Sequence, residues 1–109
     1  MATVLVKMPV CDKTHKVTVT MRDDGDMDVQ ISSDCINVQE YGRDLEKLSF
    51  ADLGSITTSR IMDPLLVEHF TPTCMAPVAV FNAGWLEAGL ISRSLFKKVG
   101  ASSMEYQED

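Results

Sequence analysis

Lys16-Val17-Thr18-Val19-Thr20-Met21, then Arg22-Asp23-Asp24-Gly25-Asp26, then Met27-Asp28-Val29-Gln30-Ile31 is the stretch that decides the fold. Apolar side chains recur at every second position on both sides of a polar, glycine-containing pentapeptide, which is the period of a strand with one buried and one wet face. Val17, Val19 and Met21 then share one face, and Lys16, Thr18 and Thr20 the other. Gly25 takes a positive φ at no steric cost, so Arg22 to Asp26 reads as a tight turn. The same alternation runs through Val4-Leu5-Val6-Lys7-Met8, and the link from Pro9 to Lys13 is short, with Cys11 at its tip. One wet face is the habit of antiparallel sheets. The expectation is a three-stranded antiparallel meander over residues 3–31.

After Ile31 the period lengthens. Ser33 and Asp34 are good N-cap residues, and Val38, Tyr41, Leu45 and Leu48 follow at helical spacing. Gly42 weakens that helix by about 1 kcal/mol relative to alanine. Ser49-Phe50-Ala51-Asp52 has capping-box spacing for a short helix, and Asp63-Pro64 starts another over Leu65 to Phe70. Gly54 to Arg60 between them is small and polar, hence loop. Met75 to Ile91 is so apolar that a helix there must be covered nearly all round, opening close to Pro77, at or beside Cys74. Ser94 to Val99 reads as a short strand, and 100–109 as a polar, frayed tail. The fold class expected is two-layer α+β in one domain spanning 1–109. The meander is covered on one face by a helical layer at 34–91.

A chain of 109 residues leaves room for one domain. Sixteen acidic against ten basic residues give a net charge of −6, which phosphate backbones repel, so nucleic acid is excluded as the main partner. No apolar run is long enough to span a membrane, and no basic start followed by an apolar block marks a secretory signal. The expected location is the cytoplasm. Three cysteines, an odd number without an export signal, point to reduced thiols there. No C-x-x-C pair, phosphate-binding glycine loop, nucleophile elbow or H-E-x-x-H helix occurs, so hydrolase and nucleotide-dependent chemistry is not expected.

On this plan Cys11 lies in a loop at a strand end, and Cys35 and Cys74 each stand at the opening of a helix. Free amides and the positive end of the helix dipole favour a thiolate at such positions, and a thiolate is both nucleophile and metal ligand. Asp12, Asp34, His15 and His69 are oxygen and nitrogen donors nearby in sequence. Taken singly, His15 and His69 read as exposed or capping side chains. Cysteines are also often inert buried hydrophobes, and Met8, Met21, Met27, Met62 and Met75 read as core filler.

Val10-Cys11 at a strand end, Ser33-Asp34-Cys35-Ile36-Asn37-Val38 opening a helix, and Cys74-Met75-Ala76-Pro77 opening an alanine-rich helix that ends Ala88-Gly89-Leu90 resemble a pattern. It is that of an uncharacterised family of short three-cysteine proteins of anaerobic prokaryotes, over roughly residues 3 to 91. Asp12 stands where that family has glycine. A more distant resemblance is to the IscU/NifU-type iron–sulfur scaffold proteins. Those also run as a three-stranded meander followed by helices, with one cysteine after the first strand, one at the first helix and one at the last. Cys11, Cys35 and Cys74 match in order. The scaffold's aspartate falls at Lys13, its histidine at Thr73, and its glycine-flanked second cysteine at Asp34-Cys35-Ile36. The resemblance implies a shared fold and a three-thiolate site.

The function expected is therefore that of a small metal- or iron–sulfur-binding protein, with binding favoured over catalysis and the question of an enzyme left open. Cys11, Cys35 and Cys74 would converge at one end of the sheet, with Asp12, Asp34, His69 or an exogenous ligand in a fourth position. Zinc or an iron–sulfur cluster suits three thiolates. An open position suits transfer of metal or sulfur to a protein partner. The alternatives are a metal-free thiol or sulfur-relay protein, with His69 as the base, and a non-catalytic interaction module on the same fold. Whether the apolar helix is covered within one chain or across a homodimer stays open.

Overall fold

Residues 1–108 are described by a computed structural model. The alternation at Lys16 to Ile31 builds the centre of an antiparallel sheet. Strand β2 (Lys13–Met21) pairs with β1 (Ala2–Met8) from Ala2 opposite Val19 to Met8 opposite Lys13, and with β3 (Met27–Ser33) from His15 opposite Ser33 to Met21 opposite Met27. The turn between β2 and β3 closes as expected: Gly25 has φ 91°, its N–H donates to the Arg22 carbonyl at 3.1 Å, and the Arg22 N–H donates to the Asp26 carbonyl at 2.7 Å. Val17, Val19, Met27 and Val29 point into the core, but Met21 is exposed because β2 ends there.

Helix α1 (Ile36–Leu45) buries Val38, Tyr41 and Leu45, three of the four positions read from its spacing. Leu48 is buried too, on a different backbone. Glu46 takes φ 61° and donates its N–H to the Gly42 carbonyl, which ends the helix and turns the chain into a two-residue fourth strand, β4 (Lys47–Leu48), beside β3. The sheet is thus four-stranded in the order β1-β2-β3-β4, one strand more than the meander read from the sequence. Helical spacing and a strand after a left-handed residue delivered Leu48 to the same core.

The Ser49–Asp52 capping box forms, starting a 3-10 turn at Phe50–Leu53. The expected loop ends in a second such turn at Arg60–Met62. Asp63 caps α2, which spans only Pro64–Val67 rather than reaching Phe70. Helix α3 (Ala76–Glu87), with Pro77 in its first turn, packs across β1 and β2. It is not covered all round. Val78 is 55% exposed, and Trp85 lies at the surface with its indole N–H donating to the Leu53 carbonyl at 2.9 Å. The segment read as a last strand is instead helix α4 (Arg93–Val99), because the Ser92 hydroxyl accepts the Leu95 N–H and starts a helix. Residues 101–108 have no regular structure and are exposed, in keeping with the expected tail, whose last residue, Asp109, lies outside the described residues.

The result is a two-layer α+β fold, with helices on one face of an antiparallel sheet. Among the described residues no helix is long and apolar enough to cross a membrane.

Candidate metal centre

Three chain reversals meet at the end of the sheet where β2 begins. Met8 opposes Lys13 and Ser33 opposes His15, so the β1–β2 turn and the exit of β3 are neighbours. Helix α3 runs against β2, since Glu87 at its far end accepts the Met21 N–H at 2.7 Å. Its start therefore lies at this same end. Each reversal carries one cysteine.

Cys11 is exposed in its turn, its N–H donating to the Met8 carbonyl at 3.3 Å, with Sγ 3.7 Å from the same oxygen. Asp12, next to it, sits at φ 55° and is exposed. Cys35 is the N-cap residue of α1, in extended conformation and half-buried. Its side chain accepts no capping hydrogen bond, so the sulfur is not committed to the helix. Cys74 is half-buried just before Met75, the N-cap of α3, and donates its N–H to the Thr71 carbonyl at 3.0 Å. The sulfurs of Cys35 and Cys11 are both near enough to oppose a negative charge on Cys74.

This electrostatic neighbourhood corrects one expectation. Burial pushes the Cys74 thiol up, the two other sulfurs add to that, and the Ala76 N–H opposing them does not prevail. The helix start therefore holds a protonated Cys74 at neutral pH, because burial outweighs the amide that was expected to favour a thiolate. Tyr41 is raised too, by burial first and then by Cys74, which places the phenol beside this sulfur. Its Oη donates to the Ile61 carbonyl at 2.9 Å, and its ring meets Phe70 edge-on at 5.1 Å.

The oxygen and nitrogen donors are arranged less simply. Asp34 accepts the Thr14 N–H through Oδ1 at 3.0 Å; that bond, helped by Lys13 and His15, holds its carboxyl below the usual range. His69 is exposed and faces Glu68 at 3.5 Å. Among the described residues, no three His, Cys, Asp or Glu side chains stand close enough together to hold one ion. The three cysteines share one end of the sheet but form no preformed single-ion cage among the described residues.

His15, read as an exposed or capping side chain, is 1% exposed instead. Its Nδ1 lies 2.7 Å from the Ser33 Oγ, which also accepts the Cys35 N–H at 2.9 Å. Burial lowers its pKa, against a smaller opposing pull from Asp34. A neutral imidazole thus anchors the backbone from which Cys35 hangs. The signal was present in the sequence: His15 is in phase with Val17 and Val19 on the inward face of β2.

A model for a family of unknown function (DUF6951) matches residues 2–99. The chain belongs to the DUF6951 family. No curated protein and no solved structure matches it. The match covers all four strands, α1 to α4 and all three cysteines, so the sulfur-bearing end lies wholly inside the DUF6951 region.

Proposed function

We propose that this protein binds an iron–sulfur unit or zinc through Cys11, Cys35 and Cys74, and passes the metal or its sulfur to a protein partner in the cytoplasm. The observation that supports this reading is that three separate reversals bring Cys11, Cys35 and Cys74 to one end of the sheet, where Cys35 and Cys11 both bear on the charge of Cys74. Thiolates select zinc and iron–sulfur units over harder cations. A single tetrahedral zinc holds each sulfur at about 2.3 Å, which demands a tight cage. Sulfurs that converge without closing suit the larger iron–sulfur unit better, and zinc is the second choice. Such a unit would supply electron or sulfur chemistry.

The residues have separable tasks in this reading. Cys74 supplies a half-buried sulfur beside the start of α3. Cys35 supplies one fixed through the His15–Ser33 link, and Cys11 an exposed one at the rim. Asp34, Asp12 or a thiol from outside completes the set; His69, turned to Glu68 in solvent, is the least suited. An exposed rim and an incomplete protein ligand set fit transfer better than permanent storage. The order of the three cysteines and the meander-then-helices plan also support likeness to IscU/NifU-type scaffolds and to short three-cysteine proteins of anaerobes.

The test is anaerobic reconstitution with iron and sulfide, and separately with zinc, followed by metal analysis and absorption spectroscopy. About one unit per chain is expected. Cys35→Ser and Cys74→Ser should each abolish it. If all three single Cys→Ser proteins load as fully as the parent, the proposal is wrong.

A further inference from the structure

Strand β1 is an edge strand, with one side hydrogen-bonded to β2 and the other unpaired. An open edge is a template for another strand unless it is covered. Here it lies along a groove of about 720 Å³ running between β1, α3 and α4. Val4 and Val6 of β1, Met75, Ala79 and Leu86 of α3, and Phe96 of α4 give it apolar walls. Lys7, Arg93 and Lys97 rim it with positive charge in a chain whose net charge is −6. Arg93 is held by Glu87, but Lys7 and Lys97 have no ion-pair partner among the described residues.

The chain also carries a segment with the complementary properties. Within Ser102-Ser103-Met104-Glu105-Tyr106-Gln107-Glu108, Met104 and Tyr106 stand two apart among polar neighbours, so an extended chain puts both on one face. Met104 and Tyr106 are 80% and 79% exposed. Fully extended, these seven residues span about 23 Å, the reach of the seven-residue β1. Glu105 and Glu108 bring the charge that the rim lacks. Ala101 and Ser102 already stand at the groove, yet within one chain the rest of the tail leaves it and lies in solvent. Helix α4 buries none of its residues either, with Leu95 and Val99 exposed beside the tail. Four large apolar side chains, Leu95, Val99, Met104 and Tyr106, thus stand uncovered next to the groove's own rim.

We infer that the occupant of this groove is the tail of a second copy, Ser102 to Glu108 adding as a strand to the free edge of β1, with the exchange reciprocated about a two-fold axis. Such an arrangement closes both edges and leaves no open contact to propagate. Met104 and Tyr106 meet the walls formed by α3 and α4, Glu108 on the same face meets Lys97 of α4, and Glu105 on the opposite face meets Lys7 of β1. The sulfur-bearing end takes no part, so the inference stands apart from metal binding.

Sedimentation over a concentration series tests it. The whole chain should reach a dimer, and a chain ending at Ser102 should remain monomeric with an unchanged circular dichroism spectrum. Lys7→Glu with Lys97→Glu, both at exposed positions, should weaken association by about tenfold or more. Adding Glu105→Lys and Glu108→Lys should restore it, which a misfolded variant would not do. A whole chain that stays monomeric overturns the inference, including one whose tail pairs with its own β1 by hydrogen exchange. So does a dimer that survives the truncation, or charge reversal without effect or without rescue.

Discussion

The two ends of α3 are built on opposite principles. At its last turn Glu87 has a side chain only 7% exposed, yet every carboxylate oxygen is occupied. Oε1 faces the Met1 ammonium and the Arg93 guanidinium, each at 2.8 Å, and Oε2 accepts the Met21 N–H at 2.7 Å. One side chain there ties together the chain start, the end of β2 and α4. At the other end, beside Cys74, three sulfurs approach with little to hold them. Cys35 caps α1 without using its side chain, and Cys11 finds only a carbonyl at 3.7 Å. Among the described residues no buried side-chain nitrogen or oxygen lacks a partner. The fold thus satisfies its buried oxygen and nitrogen groups while leaving the sulfurs at the other end uncommitted.

The contrast breaks most visibly in binding. Removing a supporting residue around a metal ligand costs ten- to a hundredfold in affinity, so losing a ligand should exceed about a hundredfold. Cys35→Ser and Cys74→Ser should therefore weaken iron–sulfur or zinc loading by more than that, read by competition with a chromophoric chelator. Glu87→Gln should leave loading unchanged. Equal losses from both kinds of substitution would mean that the two ends are not functionally distinct.

Stability should show the reverse. Burial alone would push the Glu87 carboxyl up, but the Met1 ammonium, the Met21 N–H and Arg93 together outweigh it and hold it low. The folded protein thus binds this proton less readily than the unfolded chain does. The resulting stabilisation is present above the ordinary carboxylate range and is lost as pH falls through the depressed value. Glu87→Gln should cost about 2 kcal/mol at neutral pH, as expected for a nearly buried charged hydrogen-bonding group. The difference from the parent should shrink as urea unfolding is repeated towards about pH 3. A pH-independent difference would assign the loss to packing instead.

The regions that were legible in the sequence are those where one short-range rule decides. Alternation marked the meander and its inward residues apart from Met21, and Ser49 and Asp63 announced their caps. Leu48 was legible as core but not as strand, because one left-handed residue, Glu46, separates the two backbones and nothing in its side chain demands that conformation. The last helix was missed because Arg93 to Val99 buries nothing and so leaves no periodic stripe. At the site, topology could be inferred from where the cysteines fall among the strands. The upward push on the Cys74 thiol could not, since it depends on burial and on sulfurs distant in sequence. His15 lay in plain phase with Val17, but a histidine facing a core reads as improbable until Ser33 is seen beside it.

Gly42 sits where α1 packs against Ile31 of β3. A methyl group there would stand 2.9 Å from the Ile31 Cβ, an atom fixed to the strand backbone rather than the free end of a side chain. Alanine gains about 1 kcal/mol in helix propensity, but forced overpacking costs about 1–3 kcal/mol. Gly42→Ala should therefore destabilise the protein by about 1 kcal/mol in urea unfolding, although propensity alone argues for stabilisation. Cys11→Ser, at an exposed position, should fall within about 0.5 kcal/mol of the parent. Gly42→Ala should be neutral toward metal loading, and Cys11→Ser should remove it. If Cys11→Ser were instead the more destabilising of the two, its sulfur would belong to the packing of the fold, and the division between a closed end and an open one would fail at its most exposed member.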